Sequence, residues 1–205
     1  MNPVLWMLVG ATVATVGLLF ERRARSQKVS LDDWALQKNR PLLRDVELSI
    51  LSEVEPIALL PDVVSIDRFL PARAETEAAL FLCKCGTGHR PQRVLLAVLI
   101  GPDFLPHLRI LPSAVRDVPS HLGYVQKEAP ALPASYRLEA FSDLDPRLLQ
   151  AVASALPPAG DPIRIELRPG RMLIAQDRTD GEAASDLEAH AEALLSSVLA
   201  LRANQ

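Results

Sequence analysis

The feature that most constrains this chain is an uncharged apolar run near its N-terminus, at residues 3–20. At a helical rise of about 1.5 Å per residue, this run would cover roughly 27 Å, close to the thickness of a bilayer's hydrocarbon core. Basic residues follow it at Arg22, Arg23, Arg25 and Lys28. A secretory signal peptide carries its positive charges before the apolar run instead. The order of these parts therefore predicts a retained single-pass transmembrane helix.

The basic residues also predict an orientation. Positive charges beside a first membrane helix stay on the cytoplasmic side. We therefore expect the inner (cytoplasmic) membrane as the location, with the N-terminus outside and the soluble part in the cytoplasm. The basic residues would contact anionic lipid headgroups, and each would contribute about 1 kcal/mol to the free energy of membrane binding. Trp6 lies near the other end of the run, where an indole suits the outer headgroup region.

Small residues within the apolar run predict a contact surface for a second helix. Gly10, Ala14 and Gly17 are spaced so that they share one helix face. In lipid, a strip of small residues permits the close approach that drives helix association. Glycine and alanine are common in such spans, so the alternative is a lipid-facing strip without a partner.

Composition argues against some classes of partner. The net charge is −3 and only 4% of residues are aromatic, so neither a basic surface nor a set of stacking platforms for nucleic acid is expected. The two cysteines form no disulfide framework, which fits a reducing compartment. The expected partners are membrane lipid and other membrane protein subunits, and no cofactor is predicted.

Residues 29–125 are predicted to be a β-rich part of the soluble domain. Ser30 and Asp33 have the spacing of a capping box and predict a short helix ending before Pro41. Alternating apolar residues predict strands at 46–54 and, with a turn, at 57–70. Two β-prone runs at 78–85 and 93–100 predict a hairpin, and a proline-flanked extended piece follows at 104–112.

Residues 126–205 are predicted to form an αββα unit preceded by a short strand at 136–140. Asp145 and Pro146 predict a helix start, since a carboxylate cap precedes a first-turn proline. A second hairpin is expected at 162–167 and 172–176, and an apolar stripe predicts a final helix at 183–203. The fold class is therefore predicted as α+β, with an N-terminal transmembrane helix followed by an antiparallel β-rich region and a C-terminal αββα unit. Residues 1–28 comprise the transmembrane anchor and its basic flank.

Cys83, Cys85 and His89 are the only residues whose types and spacing suggest a metal or redox site. A closed zinc site needs four ligands, and paired zinc cysteines are usually separated by two or more residues. On a strand, Phe81, Cys83 and Cys85 share one face and would be buried together. Burial in the core is therefore the predicted role, with a metal site or redox pair as alternatives.

No catalytic set is predicted. The glycines at 86 and 88 precede a strand and not the helix that a phosphate loop requires. The histidines show no ligand spacing, and the paired aspartates are better explained as helix caps.

The order of parts resembles that of bacterial single-pass membrane proteins with a cytoplasmic α+β domain of unknown function. The resemblance is carried by Trp34-Ala35, the turn at 85–89, the proline-flanked segment at 105–112 and the stretch 136–201. These motifs are turns and core positions, so the resemblance implies a fold and no reaction.

The sequence as a whole predicts a non-catalytic membrane-anchored accessory or assembly subunit, an interaction module of a larger bacterial membrane complex. The alternatives are a membrane-tethered enzyme whose site sequence patterns do not reveal, and a cysteine-based metal or redox sensor.

Overall fold

The computed structural model describes residues 30–52, 60, 62–86, 92–115, 123–156, 163–178 and 184–203. The helices in these ranges are α1 Leu31–Gln37, α2 Ser49–Ser52, α3 Pro146–Ala155 and α4 Ala184–Ala203. The strands are β1 Leu43–Val46, β2 Val63–Leu70, β3 Ala79–Cys85, β4 Gln92–Ile100, β5 Leu108–Pro112, β6 Val125–Lys127, β7 Tyr136–Ala140, β8 Ile163–Arg168 and β9 Arg171–Arg178.

All of these strands pair antiparallel in one sheet, in the order β1-β2-β3-β4-β9-β8-β5-β7-β6. The predicted fold class is therefore wrong, because no separate αββα unit follows a β-rich region. Strand β9 pairs with β4 from Arg93↔Arg178 to Ile100↔Arg171, and β5 lies between β8 and β7. Both β4 and β9 carry apolar residues on both faces. Such strands are stable in the middle of a covered sheet, not at the edge of a small one.

The predicted transmembrane anchor and basic flank at 1–28 lie outside the described residues. Within the described ranges, no helix combines the length and the apolar character needed to cross a membrane.

The sheet has two differently covered faces. One, the helix face, packs alternate strand residues such as Leu80, Leu95 and Ile174 against α1, α3 and α4. The other, the opposite face, carries a second apolar cluster that includes Phe81, Leu96 and the short helix α2. Side chains of successive strand residues point to opposite faces, so both clusters are assembled from the same strands.

Local signals predicted several boundaries correctly. The Ser30 hydroxyl accepts a hydrogen bond from the Asp33 N–H at 3.1 Å, which caps α1. Asp145 caps α3 in the same way, accepting from the Arg147 N–H at 2.8 Å, with Pro146 in the first turn. The first hairpin is confirmed as β3 and β4, and the second as β8 and β9.

The predicted strand at 46–54 is wrong. The extended chain ends at Val46, after Asp45 adopts a positive φ of 48°, and α2 follows. The apolar residues that suggested alternation occupy a helical turn in which Leu51 is buried against the opposite face. In a run this short, the spacing of the apolar residues fits both the two-residue period of a strand and the 3.6-residue period of a helix. Strand β6 was not predicted, since its three residues are polar or exposed.

Candidate functional site

A groove of about 800 Å³ opens where the β4–β5 loop meets the start of α3 and the end of α4. We call it the acidic groove. Its lining combines apolar side chains with carboxylates and includes no lysine or arginine among the described residues; the members used below are Ile100, Phe104, Leu148, Leu201, Asp103, Asp143 and Asp145. Phe104 is 48% exposed and Ile100 is 50% exposed. Large apolar side chains therefore face solvent inside a concave, negatively charged site.

The β4–β5 loop that forms one wall is held against the β8–β9 turn. The Gly101 N–H donates to the Gly170 carbonyl at 3.1 Å, and the Gly170 N–H donates to the Pro102 carbonyl at 3.3 Å. A Cβ at Gly101 would lie only 2.9 Å from Leu105 Cδ1 and from Met172 Cγ. A side chain at residue 101 would have to displace these neighbours, so glycine there lets the β4–β5 loop lie close against β9.

The start of α3 forms the facing wall. Asp145 is oriented by its capping hydrogen bond, and Leu148 is buried against the helix face. The Lys127 ammonium lies 2.9 Å from Asp143, and its hydrogen bond holds the pKa of that carboxyl below its usual range. Asp143 is therefore ionised at neutral pH. A second groove of about 430 Å³ lies beside the first and shares Asp143 and Leu144 with it.

Ionisable residues form a row across the opposite face, buried on β8 and β5 and partly buried on β7. Arg109 is paired in register with Glu166 on one side and with Glu139 on the other. Its guanidinium lies 2.5 Å from Glu139 and stacks on the Tyr124 ring at 4.5 Å from the centroid. None of these residues lines either groove.

Glu166 is the unusual member of this row. It is 1% exposed, and its Oε2 atom has no hydrogen-bond partner within the described part of the chain. Burial raises the pKa of Glu166 to about 7, although Arg168 and Arg109 act in the opposite direction. The carboxyl therefore exchanges a proton near neutral pH.

The cysteines lie on β3 with Phe81, buried in the opposite-face cluster as the alternation predicted. Burial raises the pKa of Cys83 to about 12 and that of Cys85 to about 11, with Arg164 lowering the latter. The thiolate is the reactive and metal-binding form. Both thiols are therefore poorly suited to sensing. His89 lies outside the described residues, in which no three His, Cys, Asp or Glu side chains converge as a metal site would need.

Ellman's reagent at pH 8 is expected to label Cys83 of the folded chain about a thousandfold more slowly than in the urea-unfolded chain, and Cys85 about a hundredfold more slowly. Labelling requires the thiolate, and burial raises the two pKa values from 9.0 to about 12 and about 11. Fast labelling of the folded chain would support the sensor alternative. Zinc quantitation on protein purified without added metal provides a second check. More than a tenth of an equivalent would argue for a metal site.

The other sequence-predicted site residues are Trp6, Gly10, Ala14, Gly17, Arg22, Arg23, Arg25 and Lys28. They all lie outside the described residues, and the roles assigned to them stay predictions.

The acidic groove was not predicted because its walls come from three distant segments. The available signal was Phe104, an apolar residue in a turn that contains glycine and two prolines. The buried charged row was also missed. Alternation on β8 predicts a polar face for Arg164, Glu166 and Arg168, and the usual expectation for such a face is exposure to solvent.

Comparison with protein-family models gives no match, and comparison with curated proteins gives none. Among solved structures, the chain is similar to the crystal structure of the mycobacterial trehalose monomycolate transport factor A, TtfA, with a TM-score of 0.52 and 12% sequence identity. The match covers 81% of this chain and 90% of that chain. The two proteins therefore share a fold across most of their length.

Proposed function

We propose that this chain is a membrane-associated accessory subunit that holds a partner protein in the acidic groove. The observation that carries the proposal is the groove itself, a preformed concavity with exposed apolar side chains and charged carboxylates. Exposed apolar surface bordered by polar groups marks interaction sites. The groove lies between secondary-structure elements that are fixed by capping and glycine contacts, so binding requires little ordering.

The likeness to TtfA supports the membrane context of this proposal. The fold is shared with a mycobacterial trehalose monomycolate transport factor. The apolar and then basic sequence at residues 3–28 supports the same context, because it would bring the folded part to the cytoplasmic side of the inner membrane.

Extraction of the full chain from membranes in mild detergent, followed by native sizing and mass spectrometry, tests the proposal. We expect the chain to elute in a complex larger than itself, with one membrane protein as a reproducible second component. A monodisperse free monomer across several mild detergents would contradict it.

Protease protection tests the orientation separately. In inverted inner-membrane vesicles, a C-terminal tag should be digested without detergent, since the folded part would face the outside of such vesicles. Protection of the tag would place the folded part on the other side.

A further inference from the structure

We infer that the acidic groove binds a basic amphipathic segment that flanks a membrane span of the partner, on its cytoplasmic side. The inference rests on the proposed function and specifies the chemistry of the partner.

Charge is the first argument. Asp103, Asp143 and Asp145 line the groove, and no lysine or arginine among the described residues lines it with them. Asp143 also pairs with Lys127 of the neighbouring groove, so Asp103 and Asp145 supply most of the negative charge that a ligand would meet. A cationic ligand is attracted to such a site, whereas an anionic lipid headgroup or an acidic peptide is repelled. The three carboxylates come from both walls of the groove, so they would lie on either side of a bound segment.

Apolar contact is the second argument. Ile100 and Phe104 are half exposed, and Leu148 and Leu201 line the same concavity. A ligand with charge alone would leave Ile100 and Phe104 in contact with water. A helix with one apolar face and one basic face would cover the apolar residues and place its lysines or arginines beside the carboxylates.

A neighbouring membrane protein could supply such a segment. Cytoplasmic segments close to membrane spans carry an excess of lysine and arginine. Apolar residues from the end of a span followed by basic residues have the composition that the groove requires. A chain held at the cytoplasmic face would meet such a segment on a membrane protein beside it.

Binding can be measured on the full chain in mild detergent, by fluorescence anisotropy of a labelled amphipathic peptide of leucine and lysine. We expect saturable binding that weakens as salt is raised, because the carboxylates are near the surface. A peptide of leucine and glutamate with the same pattern should bind at least tenfold more weakly. Equal binding of the two peptides, or no binding of the basic one, would overturn the inference.

Two variants locate the binding site. Phe104→Asp should weaken binding of the basic peptide by about tenfold or more, because the lost aromatic contact is worth about 2 kcal/mol or more, whereas the attraction of one added exposed carboxylate is worth less than about 1 kcal/mol. Asp103→Asn with Asp143→Asn should weaken binding and reduce its salt dependence. The matched controls are Val64→Asp, at an exposed position of β2, and the pair Asp186→Asn with Glu192→Gln, at exposed positions of α4. Both controls should leave peptide binding unchanged. If a control variant loses as much peptide affinity as the groove variant it is matched to, the inference is overturned.

The same variants separate this inference from the proposed function. If Phe104→Asp keeps the full partner complex in detergent, the groove is not the contact while the accessory role stands. If the wild-type protein forms no complex in detergent, the accessory role is contradicted, whether or not the basic peptide binds. Phosphatidylglycerol vesicles test whether the groove binds lipid instead. If the chain binds these vesicles, Phe104→Asp abolishes that binding, and the basic peptide does not bind, then the groove binds lipid and the peptide inference is overturned.

Discussion

Replacing Glu188 with alanine is expected to lower the free energy of unfolding by about 3–5 kcal/mol, because it removes one partner of a buried ion pair. Glu188 on α4 is 3% exposed and accepts hydrogen bonds from Arg40 Nη1 at 2.6 Å and from Trp34 Nε1 at 2.7 Å. Arg40 is also buried, and Glu188 is its counterion among the residues that the structure describes.

Arg40 cannot easily move to solvent in the variant. Its Nη2 atom donates to the carbonyls of Pro71 at 2.7 Å and Ala78 at 2.8 Å, so leaving would break those bonds as well. The Arg40–Glu188 pair therefore joins α1, α4 and the end of β2 through groups that would each be costly to leave unpaired.

Urea unfolding of the full chain in mild detergent, followed by far-UV circular dichroism, measures the effect. Glu192→Ala on the exposed side of the same helix is the matched control and should change stability by less than about 0.5 kcal/mol. Glu188→Gln keeps a hydrogen-bond acceptor for Trp34, so its free energy of unfolding should fall less than that of Glu188→Ala. A loss below about 1 kcal/mol for Glu188→Ala, with an unchanged m-value, would show that the pair does not hold these elements together.

Glu188 also shows why sequence predicted the helices better than their contacts. The stripe on α4 was predicted, and Leu187, Ala191, Leu194 and Val198 are all buried. Glu188 is next to Leu187 and belongs to the flank of that stripe. Its burial depends on Trp34 and Arg40, more than 140 residues earlier in the chain, and no local pattern encodes such a pairing.

The same limit explains the wrong fold class. The two main hairpins have local signals, since each joins neighbouring runs through a turn. The pairing of β4 with β9, such as Val98 with Leu173, joins segments far apart in sequence. Local alternation specifies which face a side chain occupies and leaves the order of strands open. The acidic groove depends on that order, because the β4–β5 loop meets the β8–β9 turn only when β4 and β9 are neighbours.

Replacing Glu166 with glutamine is expected to raise the free energy of unfolding at pH 8 by as much as about 3 kcal/mol. The folded-state pKa of Glu166 is raised to about 7 from its ordinary value of 4.5, chiefly by burial. The folded chain therefore holds a proton that the unfolded chain releases between these pH values. The stability contributed by the protonated carboxyl is complete below about pH 4.5, declines as pH rises, and is lost above about pH 7.

Because other carboxylates titrate in the same range, the measurement is the difference in stability between wild type and Glu166→Gln from pH 4.5 to 8.5. Glutamine stays neutral and is close in shape, so the two proteins should be similar at the acidic end. The difference should grow through the window and then level off. Exposed Glu192→Gln should give a profile parallel to wild type. Parallel profiles for Glu166→Gln as well would show that the carboxyl of Glu166 is charged in the folded chain throughout, stabilised by Arg109 and Arg168 despite its burial.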